Sequence, residues 1–211
     1  EEGNIIMPSG FIPPAERFGL MPDIDKWVIH HAILLLKYAS KFTPRLSINL
    51  SGASFRDDSI INYVADEIKS ANIDARRLTF EITETIAMAD ISMTAQNLRM
   101  LQELGCRTAL DDFGAGYSSY AYLKDLPVHY VKIDGSFITG LVNNKLNREI
   151  VQSMHNIAHI MGKETIAEFV ESEEIAKLLM DMGVDYLQGY YIGEPELTTL
   201  DLAPFDPSAE D

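Results

Sequence analysis

One cysteine, Cys106, in 211 residues leaves no partner for an internal disulfide and fits a reducing compartment. Long apolar runs are also missing. None approaches the roughly 20 residues that a bilayer span requires, so this chain is expected to make no membrane contact of its own. No signal-peptide pattern is visible, and the sequence opens "EEGNIIMPSG" without Met. It therefore reads as a piece of something longer, expected in the cytoplasm. Basic residues are scarce, 17 Lys and Arg against 32 Asp and Glu, for a formal net charge of −15. No basic face can neutralise a run of phosphates, which excludes a nucleic-acid polymer as an electrostatic partner. A small phosphorylated ligand is still allowed, because bound divalent cations invert a local field.

Several catalytic signatures are absent too. No G-x-G-x-x-G follows a first strand, and no Ser stands in G-x-S-x-G. His155 and His159 lie four apart in "HNIAH", which lacks the Glu of H-E-x-x-H. They read as structural residues, as do His30 and His31.

What remains has the composition of an ordinary globular domain, 46% hydrophobic and 23% charged, and reads as one domain over 1–211. Residues 1–20 read as a Gly- and Pro-rich loop segment, and 201–211 as a polar tail. Helical spacing runs over 22–38, 57–71, 90–104, 145–161 and 172–183, with a further short helix after the glycine loop. Strand patterns fall at 45–50, 77–83, 106–112, 129–134, 164–169 and 185–193. This alternation argues for parallel βα units. A closed (β/α)8 barrel has eight strands and these are six; a doubly wound sheet is the alternative.

The polar residues fall in a pattern. Each apolar strand ends near a group capable of chemistry: Asn49, Glu81, Asp111, Lys132, Glu168 and Gln188. In a barrel such ends meet at one mouth. An unpaired buried polar group costs about 1–3 kcal/mol, so a ring of them must satisfy one another or a ligand. Oxygen-rich donors of this kind suit Mg²⁺ or Mn²⁺ rather than zinc. In "ALDDFGAGYSS" the adjacent Asp111 and Asp112 would repel unless a cation lay between them. Neighbours on a regular strand face opposite ways, so the chain must turn there, and Gly114 and Gly116 permit it.

Taken in order, "FIPPAE", "SINLS", "FEITET", "ALDDFGAGYSS", "VKIDGSF", "AEFVES" and "LQGYYIGEP" resemble the motif set of EAL domains, bacterial cyclic-di-GMP phosphodiesterases. The resemblance covers nearly the whole chain and implies a modified TIM (β/α)8-type barrel. It implies that Asn49, Glu81 and Asp111 hold one cation, and that Asp111 and Asp112 serve a second. Glu168 joins the metal and water cluster, and Lys132 orients or activates the attacking water. Glu171 braces the glycine loop at Phe113 and Gly114, and Gln188 holds the polar network; these four make up the binding set. The product would be linear pGpG, formed with two ions clamping the attacking and leaving oxygens. A homodimer fused to other signalling domains is also implied.

Two departures stand out. The Glu-Ala-Leu strand that names the family is not in this sequence, so the first two barrel strands are expected to be missing from this chain. Phe169 stands where Gly is common. The alternative function is therefore a receptor that binds cyclic-di-GMP without hydrolysing it.

Overall fold

Six short apolar runs form the sheet of the computed structural model, which describes residues 6–38, 45–56, 59–116 and 120–195. They are β1 (Leu46–Asn49), β2 (Leu78–Thr83), β3 (Arg107–Phe113), β4 (Tyr130–Ile133), β5 (Glu164–Ala167) and β6 (Tyr186–Leu187). All neighbours are parallel and follow chain order. Parallel neighbours need crossovers, and helices supply them. The helices are α1 (Pro8–Phe18), α2 (Met21–Tyr38), α3 (Gly52–Phe55), α4 (Ser59–Ala71), α5 (Glu84–Ala89), α6 (Ile91–Glu103), α7 (Gly135–Ile138), α8 (Lys145–Ile160) and α9 (Glu173–Asp181). The result is a curved, barrel-like wall, open between β1 and β6 among the described residues.

Side-chain alternation gives the wall two different faces. Ile48, Phe80, Leu110 and Val131 point outward beneath the helices and belong to one buried apolar cluster. Phe80 is fully buried, and truncating such a ring costs about 3–5 kcal/mol. The inner face carries the polar residues. In its lower part Arg45 Nη1 donates to the Tyr130 hydroxyl at 3.1 Å. Tyr130 meets Tyr186 edge-on, with ring centroids 5.7 Å apart. Helix starts are fixed by side-chain caps: Asp90 accepts from the Met93 N–H, Asn144 from Asn147, and Ser172 from Ile175. Among the described residues no helix is long and apolar enough to cross a membrane.

Three expectations need correction. Residues 8–18, expected as loop, form α1. Pro8 sits in its first turn, where no N–H is missed, and the carbonyls that Pro13 and Pro14 leave unpaired, those of Ser9 and Gly10, lie at exposed positions. The segment after the glycine loop is a run of turns over 120–126, not a short helix. The helix expected over 57–71 is α4, Ser59–Ala71, and positions 57 and 58 lie outside the described residues. The last strand stops at Leu187, because the chain bends around Val170. There Val170 N–H donates to Gln188 O, and Tyr191 N–H donates back to Val170 O. Gly189 permits this approach, since a Cβ there would lie 2.2 Å from Val170 N. The polar tail, 201–211, lies outside the described residues, as do Tyr117, Ser118 and Ser119 of the glycine loop.

Candidate active site

The strand register assembles the site. Asn49 pairs with Glu81, Glu81 with Ala109, and Thr83 with Asp111, so these residues share the inner face near the carboxyl ends of β1 to β3. Lys132 enters from β4, and Glu168 follows the end of β5. Lys132 Nζ lies 2.7 Å from Glu81 Oε2, 3.0 Å from Asp111 Oδ1 and 2.9 Å from Glu168 Oε1. An ammonium has three protons and here meets three carboxylates. Burial works against its charge, but the Glu81, Asp111 and Glu168 carboxylates outweigh that and hold its pKa well above the ordinary lysine value.

Asp112 joins by a backbone device. Its φ is +55°, the left-handed region, and the β3–β4 pairing shifts register between Leu110 and Phe113. The turn that two adjacent acids require is therefore made at Asp112 itself, with Gly114 (φ +98°) just after it. Asp111, Asp112 and Glu168 each offer an oxygen, and these lie within 4.8 Å of one another. This all-oxygen set fits a hard divalent cation. Burial raises the Asp112 pKa, and repulsion from Asp111 and Asp134 adds to the effect. Burial pushes the Glu168 carboxyl up to about 7; Lys132 opposes this, while Asp111 and Asp112 reinforce it.

Two clefts flank the cluster. Glu168, Phe169, Glu171, Gln188, Gly189 and Tyr190 line one of about 330 Å³. Glu84, Thr85, Met88, Asp112, Ala115, Gly116 and Asp134 line the other, of about 580 Å³. Phe169 has φ +52° and is 58% exposed, and its ring lies directly over Gly135.

Of the residues expected in the site, Glu81, Asp111, Lys132 and Glu168 are in direct contact, and Asp112 adjoins them. Asn49 is beside Glu81 by register, on the exposed edge strand. Gln188 and Glu171 reach the same mouth through the cleft they share with Glu168. Phe113 does not belong to a binding surface. Its ring is fully buried and packs against Tyr120, because the extra residue at the Asp112 register shift pairs Phe113 with Ile133 and turns it to the outer face, away from Asp111.

The bracing expected of Glu171 falls instead to Glu84, which the sequence reading missed. Glu84 Oε2 accepts the Gly114 N–H at 3.1 Å, and Oε1 accepts the Tyr122 hydroxyl at 2.6 Å. The available signal was the second acid of "FEITET", three residues after Glu81 in the first turn of a helix.

An inner-face acidic cluster at the carboxyl mouth of a parallel barrel-like wall defines a class of enzyme-like sites. The chain belongs to the EAL domain family, whose model matches residues 1–195. It is 45% identical over 196 residues to the cyclic di-GMP phosphodiesterase PdeB of Shewanella oneidensis, covering 92% of this chain and 23% of that protein. It is 39% identical over 212 residues to the cyclic di-GMP phosphodiesterase PdeF of Escherichia coli, covering 100% and 28% respectively. The chain thus spans about a quarter of the length of these relatives. Among solved structures, the EAL domain of FimX from Pseudomonas aeruginosa, bound to c-di-GMP, superposes with a TM-score of 0.86 at 33% identity. That match covers 92% of this chain and 78% of the FimX chain.

Proposed function

We propose that this chain is the hydrolytic domain of a cyclic-di-GMP phosphodiesterase and opens one phosphodiester bond to give linear pGpG. The observation that carries the proposal is the Lys132-centred cluster of Glu81, Asp111 and Glu168, with Asp112 alongside. The names of PdeB and PdeF and the ligand of the FimX structure support the same substrate.

Asp111, Asp112 and Glu168 would hold Mg²⁺ or Mn²⁺, with Glu81 and Asn49 on the adjoining strands. Such ions, when bound, acidify water and neutralise charge developing on phosphate oxygens. The chain's own groups do the positioning and proton transfer. Lys132 stays an ammonium, so it orients the carboxylates and donates to an oxygen of water or phosphate; it is not the base. Glu168, 2.9 Å from Lys132 at the cluster's edge, is the carboxylate placed to accept a proton from water. Water attacks phosphorus and gives its proton to Glu168. The bond from phosphorus to the 3′-oxygen breaks in line, and that oxygen leaves with a proton from solvent. The two flanking clefts receive the nucleoside halves. The domain works in the cytoplasm as part of a longer signalling protein, as a homodimer.

The test is to incubate the protein containing this chain with cyclic-di-GMP and Mg²⁺ or Mn²⁺ and identify the product. Formation of pGpG supports the proposal. Tight binding without pGpG assigns the chain instead to the receptor reading, which the left-handed Phe169 beside Glu168 favours. Neither binding nor turnover overturns both.

A further inference from the structure

On the outer side of the wall, His155 and His159 project from one face of α8, and Asp185 precedes β6. The three offer ligand atoms within 4.8 Å of one another. This cluster is separated from the mouth by the sheet. Thr165, which it surrounds, pairs with outward-facing Val131, whereas Glu168 lies past the opposite, carboxyl end of β5.

The hydrogen bonds fix which atoms are free. Asp185 Oδ2 accepts the Thr165 N–H at 2.7 Å and the Thr165 hydroxyl at 3.0 Å. A hydroxyl has one proton, so Thr165 Oγ1 can only accept from His155 Nδ1, 2.8 Å away. His155 is therefore the Nδ1–H tautomer, and its Nε2 presents a lone pair. A histidine whose far nitrogen is held by an oxygen partner is oriented as metal-ligating histidines are. His159 Nε2 lies 2.8 Å from Asp185 Oδ2, with a single proton between them. The two imidazole rings are 4.1 Å apart. Tetrahedral ligands on bonds of about 2.0–2.1 Å sit about 3.4 Å from each other, and the ligand atoms offered by the three residues lie within 4.8 Å. Burial lowers the His155 pKa, and the neighbouring His159 adds to this. Burial opposes charge on Asp185, but its bonds to His159 and Thr165 prevail and keep the carboxyl below its ordinary value.

We propose that His155 Nε2, His159 Nε2 and Asp185 form a second metal site, selective for a borderline transition ion of the Zn²⁺ type, which ties α8 to the amino-terminal end of the sheet. The imidazole–carboxylate donor set distinguishes it from the all-oxygen set at the mouth. On binding, the ion replaces the proton between His159 and Asp185, and His159 carries its proton on Nδ1.

Co²⁺ is the probe, added to the purified protein with Mg²⁺ in large excess to occupy the oxygen site. The expected result is a visible absorption band of low-coordinate Co²⁺, saturating at one equivalent and displaced by Zn²⁺. His159→Ala and His155→Gln should abolish it, Asp111→Asn should leave it, and Thr165→Val should weaken binding about 10- to 100-fold. If His159→Ala does not fold, His155→Gln and Thr165→Val carry the same reading. No band, a band indifferent to both histidine substitutions, or a band lost only in Asp111→Asn overturns the site. None of these outcomes bears on cyclic-di-GMP turnover.

Discussion

The backbone N–H of Asp112 donates to Oδ1 of Asp111 at 3.0 Å, the same oxygen that lies 3.0 Å from Lys132 Nζ. One carboxylate oxygen thus joins the left-handed turn at Asp112 to the only ammonium in the cluster of described residues. The two adjacent acids are tolerable because the Asp112 backbone orients Asp111 and the Lys132 ammonium counters both charges.

Lys132 is the counter-charge for three buried carboxylates, so removing it leaves charge without a partner. Lys132→Met is expected to destabilise the metal-free protein by about 3–5 kcal/mol. Mg²⁺ should restore part of that loss, since a divalent ion can take over the neutralising role. Thermal denaturation with EDTA and with Mg²⁺ measures both effects. Equal melting of variant and wild type in EDTA would remove Lys132 from the centre of the account.

The Glu168 carboxyl, raised from 4.5 to about 7, sets a pH signature. Between those values the folded metal-free protein binds more protons at this site than the unfolded chain. Its stability should therefore fall as pH rises through that window, the full contribution being present only below the lower value. Glu168→Gln should flatten the slope, by up to about 3 kcal/mol across the window. Urea unfolding in EDTA from about pH 5 to 8 reads this directly. Parallel profiles for the two proteins would contradict it.

Glu84 acts on the reaction only through the loop it holds. Glu84→Gln retains shape but weakens the charge-assisted bonds to the Gly114 N–H and the Tyr122 hydroxyl, each worth about 1.5–3 kcal/mol. Turnover of cyclic-di-GMP should drop at least about tenfold, with a moderate fall in melting temperature beside it. Unaltered kinetics would show that the loop needs no such brace.

Gly189 is required by proximity. Its missing side chain admits Val170 N and O, which a Cβ would meet at 2.2 and 2.4 Å. Gly189→Ala should cost more than about 2 kcal/mol and displace Gln188 from the mouth. A variant that melts with wild type would mean the segment accommodates the methyl group freely.

The contact residues at the mouth could be read from sequence because each ends an apolar run, and parallel strands put such ends together. Glu81, Asp111, Lys132 and Glu168 meet within hydrogen-bonding distance for that reason. Glu84 was not legible in the same way. It lies beyond a strand end, and its partner Gly114 is thirty residues away in sequence. The α1 helix was hidden by Pro13 and Pro14, which punctuate most helices but are tolerated where the freed carbonyls lie at exposed positions. The early end of β6 depends on Val170, a tertiary contact with no local pattern. The conformation of Asp112 is likewise set by the fold, since a glycine was available two residues later.

The central claim is that the acidic strand tips act together on a cyclic dinucleotide, and the rate of pGpG formation by Asp111→Asn in saturating Mg²⁺ tests it most directly. The account predicts a fall of at least about a hundredfold against wild type. A variant that cleaves cyclic-di-GMP within a few-fold of the wild-type rate would contradict it.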